Sequence, residues 1–123
     1  MSFLSAFNKT LVEFFTELSE IFPEEKEIRG ALEAIQGARK INPRLVLDLF
    51  YEHVARDLKE AIVNEDDQKI VEVGRIKINT QFNEMMPALS IFDKHWGTLS
   101  ESNRQNIWKY LKALILLCDK ARA

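Results

Sequence analysis

His53 and Asp57 come closest, among the residues of this chain, to the types and spacing of a catalytic pair. They are four positions apart, so a helix would place both side chains on one face. A carboxylate beside an imidazole can tune a general base. An ordinary ion pair at or near the surface is the simpler interpretation of such a pair. We therefore predict no catalytic residue here.

The chain offers few ligands for a metal ion. Its two histidines and its single cysteine are far apart, whereas a structural zinc site needs four such residues together. A di-iron site in a helical bundle needs Glu-x-x-His motifs, and phenylalanine stands three positions before both His53 and His95. The acidic run at residues 65–67 lacks the alternating ligands and the glycine of a calcium loop. We predict no metal and no cofactor, and we expect His95 to cap or pack at a helix end.

Cys118 is the remaining candidate for a nucleophile. A catalytic thiol needs an adjacent base, but the neighbours of Cys118 are Leu117 and Asp119, and a nearby carboxylate raises a thiol pKa. We predict that Cys118 is a packing residue and that the protein is not an enzyme. A single cysteine forms no internal disulfide, which favours an intracellular, reducing compartment.

The composition predicts a single all-α domain. In 123 residues, 46% are apolar and eight are phenylalanine, while only four are glycine and three are proline. So few turn residues argue against an all-β fold, and the length suits one domain over residues 1–123. The longest apolar run, residues 113–118, is too short to cross a membrane.

Helical periodicity divides the chain into five or six helices of a compact bundle. The first predicted helix ends near Phe22, and a second begins at Pro23. Asn42 and Pro43 predict the start of a third, which stops around residues 64–67. A short helix, capped by Asp66, is favoured over a strand for residues 66–80.

The C-terminal third carries the most apolar stretch of the sequence. An apolar stripe from Phe82 to Trp96 contains Pro87, which predicts a kink or a restart. Thr98 and Glu101 have the spacing of a capping box, which predicts the start of a long apolar helix over residues 100–120.

This long helix has more apolar residues than one buried face requires. Trp108, Tyr110 and Leu117 widen its apolar arc, and Met85 with Met86 could form an adaptable binding surface. We therefore expect a non-enzymatic interaction or structural protein that binds another protein or a second copy of itself through its helices.

A nucleic-acid-associated protein is the alternative. The net charge is −2, from 17 basic and 19 acidic residues, and gives no overall attraction for nucleic acid. Basic residues are nevertheless more frequent near the C-terminus, where they could contact phosphates while an aromatic ring stacks on bases. The candidate residues are Arg104, Lys109, Lys112 and Lys120.

The order of the packing and capping residues also carries a resemblance. These residues form the pattern Phe7-Asn8-x-x-Leu11-x-x-Phe14-Phe15-x-x-Leu18-x-x-Ile21-Phe22-Pro23, then Asn42-Pro43-Arg44-Leu45, Tyr51, and Asn103-Arg104-Gln105-Asn106-Ile107-Trp108-Lys109-Tyr110-Leu111. The pattern resembles small uncharacterised helical proteins of large DNA viruses of algae and protists. The resemblance implies an all-helical viral protein made in an infected cell, and it brings no activity and no site.

Overall fold

Seven α-helical segments make up most of the computed structural model, which describes residues 2–80 and 83–123. They are α1 (Phe3–Ile21), α2 (Lys26–Ile41), α3 (Pro43–Phe50), α4 (Arg56–Val63), α5 (Asp67–Thr80), α6 (Met86–Lys94) and α7 (Glu101–Arg122). The described residues contain no strand. A π-helical turn, Tyr51–Ala55, joins α3 to α4 without a break, so the bundle has six rods. The predicted all-α class and the predicted number of helices are confirmed.

The first connection is a turn rather than an immediate helix start. α1 begins at Ser2, whose hydroxyl accepts a hydrogen bond from the Ser5 N–H at 3.0 Å. α1 ends at Ile21, as the position of Pro23 predicts. The predicted start of the second helix at Pro23 is wrong. The Glu25 N–H bonds back to the Phe22 carbonyl at 3.0 Å, which closes a turn before α2 begins at Lys26.

Side-chain caps fix the next two helix starts where the sequence predicts them. The Asn42 side chain accepts a hydrogen bond from the Arg44 N–H at 3.1 Å, with Pro43 in the first turn of α3. Asp66 accepts from the Lys69 N–H at 3.1 Å at the start of α5. The favoured helix at residues 66–80 is thus confirmed.

Pro87 marks a restart of the chain as a new helix. It lies in the first turn of α6, where a missing N–H costs nothing. The predicted stripe begins at Phe82, which lies outside the described residues. The rest of the stripe, from Met85 to Trp96, is buried at its apolar positions.

The start of α7 corrects the predicted capping box. Ser100, not Thr98, is the N-cap, and its hydroxyl accepts from the Asn103 N–H at 3.1 Å. Thr98 instead closes a short 3₁₀ turn, where its hydroxyl donates to the His95 carbonyl at 3.0 Å. Ser100 has the extended backbone that an N-cap needs, whereas Thr98 is held inside the turn.

α7 lies between α1 and α4 and is antiparallel to both. The rings of Phe14 and Tyr110 are 5.4 Å apart, and Lys120 lies 5.2 Å from the Phe3 ring. The earlier residue of α1 thus contacts the later residue of α7, so the two helices run in opposite directions. On the opposite side, α4 also packs against α7. The buried face of α7 completes the core with six residues: Ile107, Trp108, Leu111, Leu114, Ile115 and Cys118.

The position of this cap can be tested by two alanine variants. We expect Ser100→Ala to lower the free energy of unfolding by about 1 kcal/mol, because a free N–H of α7 loses its acceptor. Thr98→Ala is the control and should cost clearly less, since its exposed hydrogen bond is replaced by water. Urea unfolding measures both. A larger loss for Thr98→Ala would contradict the observed start of α7.

Candidate functional site

The carboxylate of Asp57, which we considered with His53, pairs with other residues. Lys77 donates a hydrogen bond to Asp57 at 2.7 Å, and Arg56 lies 3.6 Å from the same side chain. The hydrogen bond from Lys77 holds the pKa of Asp57 below its usual value, against the opposing effect of desolvation. His53 is half-buried in the π-helical turn. Asp57 therefore neutralises a buried ammonium group, which is a structural role.

The Asp57–Lys77 pair is asymmetric in its burial, and this has a measurable consequence. Only 6% of the Lys77 side chain is exposed, against 40% for Asp57. We expect Asp57→Asn to lower the free energy of unfolding by about 1–3 kcal/mol, because it leaves the buried charge of Lys77 without its partner. This loss is smaller than the loss expected for a fully buried ion pair. Lys77→Met should cost less, since the remaining carboxylate is hydrated. Thermal unfolding of both variants checks the order, and the reverse order would refute this role.

His95 packs at a helix end, as predicted. It is the C-cap of α6 and stacks on the Phe22 ring with the centroids 4.6 Å apart. Its Nε2 donates to a Glu25 carboxylate oxygen at 2.9 Å. This hydrogen bond, aided by the charge of Lys94, holds the pKa of Glu25 below its usual value against the effect of desolvation. The contact joins α6 to the beginning of α2.

Cys118 is buried, as predicted for a packing residue. Burial raises the pKa of its thiol to about 11, so the nucleophilic thiolate is scarce at neutral pH. Within residues 2–80 and 83–123, no three His, Cys, Asp or Glu side chains are grouped to hold a metal ion. A polar hollow of about 450 Å³ lies beside the π-helical turn, and its charges include the pairs Arg56–Asp57 and Lys59–Asp119.

The predicted partner surface is largely inside the molecule. Trp108 is only 4% exposed and packs against Trp96 and Phe92, with ring centroids 5.2 and 5.5 Å away. Met85 and Met86 are also buried. Trp108, Met85 and Met86 are therefore not accessible on the surface of the isolated chain, because they pack in the aromatic cluster and at the start of α6.

Tyr110 and Leu117 lie at the edge of α7 and are half-buried. Burial and a hydrogen bond to Glu17 of α1 raise the pKa of Tyr110. Its ring forms part of a groove of about 310 Å³ between α1 and α7. The extra width of the apolar arc thus serves mainly the contact between these two helices.

Most of the predicted phosphate-contacting residues have partners within the chain. Arg104 donates to the Trp96 carbonyl at 3.0 Å and lies over the Trp96 ring. Lys112 forms an ion pair with Glu65. Lys120 lies over the ring of Phe3, while Lys109 is exposed. Glu65 neutralises Lys112, and Asp119 adds a carboxylate next to Lys120, so this face does not carry positive charge alone.

Leu116 is a surface residue that the sequence pattern does not single out. It lies four positions after Lys112 and three before Asp119, on the outward side of α7, and is 56% exposed. The sequence signal for this exposure is the spacing of Leu116 from charged residues, about one helical turn on either side. A continuous apolar run around Leu116 hides this signal. Val63 of α4 and Phe3 of α1 are 52% and 51% exposed. Half of the six large exposed apolar side chains among the described residues thus belong to α1, α4 and α7.

Two ion pairs connect α7 to α4 and to the turn that follows α4, at different levels along α7. Lys59 lies 2.7 Å from Asp119, and Glu65 lies 2.5 Å from Lys112. Val63 follows Lys59 by one helical turn, and Leu116 lies between Lys112 and Asp119. We call this set the α4–α7 face. Its members are Lys59, Val63, Glu65, Lys112, Leu116 and Asp119.

Comparisons with known proteins give no match. No family model matches the chain, and neither a curated protein nor a solved structure resembles it significantly. The viral resemblance of the sequence therefore stays a prediction. None of the helices in the described part of the chain has both the length and the apolar character needed to cross a bilayer.

Proposed function

We propose that the chain is a non-enzymatic protein that self-associates through the α4–α7 face. The observation that carries this proposal is the exposure of Leu116 on α7, the helix at the middle of a three-helix layer. Val63 adds a second apolar side chain on the neighbouring α4. Single exposed apolar residues are common on protein surfaces, but here two lie between two ion pairs on adjacent helices.

The surrounding charges favour a protein partner over nucleic acid. Lys59 and Lys112 are each balanced by a carboxylate, and the face as a whole is neutral. Phosphate binding draws its affinity from uncompensated positive charge, which this face does not concentrate. An apolar centre with a balanced charged rim is instead the usual anatomy of a protein–protein interface.

Substitution of Leu116 tests this proposal. We expect the wild-type mass in solution to rise with concentration from that of a monomer toward that of a dimer. Leu116→Glu should raise the dimer dissociation constant at least tenfold, because each copy would bury a charge in place of about 1.5–3 kcal/mol of apolar contact. Size-exclusion chromatography with light scattering and sedimentation equilibrium measure both effects.

A matched control separates this surface from general stickiness. Ile41 at the end of α2 is 85% exposed, more than Leu116, and lies outside the α1–α7–α4 layer. Ile41→Glu should leave the dissociation constant unchanged, and neither variant should alter the melting temperature appreciably, since both sites are exposed. A wild-type chain that stays monomeric at millimolar concentration would refute the proposal.

A further inference from the structure

We infer that the partner of the α4–α7 face is a second copy of the chain, placed antiparallel about a two-fold axis that passes beside Leu116 and Val63. This inference rests on the proposed function and adds the geometry of the association. It is carried by the arrangement of four charges on α7, on α4 and in the turn that follows α4.

The four charges form a square of alternating sign. At one end of the face lie Lys112 of α7 and Glu65 of the turn that follows α4, joined at 2.5 Å. At the other end lie Asp119 of α7 and Lys59 of α4, joined at 2.7 Å. α7 therefore carries one sign at each end of the face, and α4 together with the turn that follows it carries the two signs in the opposite order.

The two charged residues of α7 lie along the same edge of the helix. Lys112 and Asp119 are seven positions apart, which is close to two full turns. Their midpoint falls next to Leu116. On the other side of the face, Val63 lies four positions after Lys59 and two before Glu65, which stands in the turn after α4. Each apolar side chain thus lies between a positive and a negative charge along the chain.

A two-fold axis in the plane of the interface and perpendicular to the helices brings opposite charges together. This rotation reverses the direction of each helix and places it opposite its own counterpart. Lys112 then faces Asp119 of the second copy, and Glu65 faces Lys59 of the second copy. All four charges meet the opposite sign, and the apolar centres meet each other.

The even spacing of the two charges on α7 favours this axis over one parallel to the helices. A parallel axis would place α7 opposite α4 of the second copy and would keep every residue at its own level along the face. Opposite charges would then face each other regardless of how far each charge lies from the apolar residues. Only the perpendicular axis requires a positive and a negative charge at matching distances on either side of Leu116. Lys112 and Asp119 meet this requirement, because they lie four and three positions from Leu116 on α7.

Reversal of one ion pair at a time provides a test that preserves the monomer. The double variant Glu65→Lys/Lys112→Glu keeps its internal ion pair and its net charge, as does Lys59→Glu/Asp119→Lys. In an antiparallel dimer of either variant, every charge would face its own sign. We expect each variant alone to dimerise at least tenfold more weakly than the wild type, because like charges opposed across an interface are unfavourable.

The two variants should restore association when they are mixed. In the mixed dimer, the carboxylate introduced at position 112 of one copy faces the ammonium introduced at position 119 of the other. The ammonium introduced at position 65 likewise faces the carboxylate introduced at position 59, so all signs are complementary again. Sedimentation equilibrium of the separate and mixed proteins, with one of them carrying a fluorescent label, measures this recovery.

Two further samples serve as controls. The quadruple variant, with both pairs reversed, should dimerise like the wild type, because opposite signs again meet at all four positions. Thermal melts of the two double variants confirm that each is folded. A quadruple variant that dimerises no better than the double variants would contradict the antiparallel arrangement.

The outcomes distinguish the geometry from the proposed function. Recovery on mixing supports the antiparallel arrangement. If the wild type dimerises and Leu116→Glu dissociates it, but the reversed pairs have no effect or fail to recover on mixing, the arrangement is refuted while self-association stands. A monomeric wild type would refute both.

Discussion

The burial of the inner face of α7 is the constraint on which the rest of the bundle depends. A single amphipathic helix is marginally stable in water, so its apolar side chains must be covered by other elements. α1 covers one side of α7 and α4 covers the other, while α6 contributes the ring of Phe92 against Trp108. The order of the helices around α7 follows from this requirement, and polar contacts such as His95–Glu25 hold the connections in place.

The same constraint explains why the surface of α7 carries a pattern. Once α1 and α4 occupy its two sides, only a narrow outward strip remains. The positions on this strip include Lys109, Lys112, Leu116, Asp119 and Lys120. Glu65, in the turn after the neighbouring helix, neutralises part of this strip by pairing with Lys112. A helix with many lysines thereby presents a mixed surface, and its sequence alone overstates its positive charge.

Local signals predict much of the fold, because they act over a few residues. The caps at Asn42 and Asp66 and the restart at Pro87 follow from chemistry that involves only their neighbours. The choice of Thr98 over Ser100 is wrong, because the 3₁₀ turn that holds Thr98 depends on the packing of Trp96. Likewise, the burial of Trp108 and the pairing of Asp57 with Lys77 depend on contacts between segments that are distant in the sequence. Helical periodicity within one segment does not predict such contacts. Leu116 escapes prediction for a different reason: its neighbours are also apolar, so its outward direction emerges only when α1 and α4 are placed.

The π-helical turn at Tyr51–Ala55 sets how far α4 is rotated, relative to α3, about the axis of the continuous rod that they form. Such a turn accommodates one more residue than an α-helix of the same length, which rotates everything beyond it by about 100°. α3 packs against α1 and α2, whereas α4 packs against α5 and α7. A regular helix would carry one continuous stripe along both halves. The turn lets a single rod present differently directed stripes to two sets of neighbours, and it thereby fixes which residues of α4 meet α7.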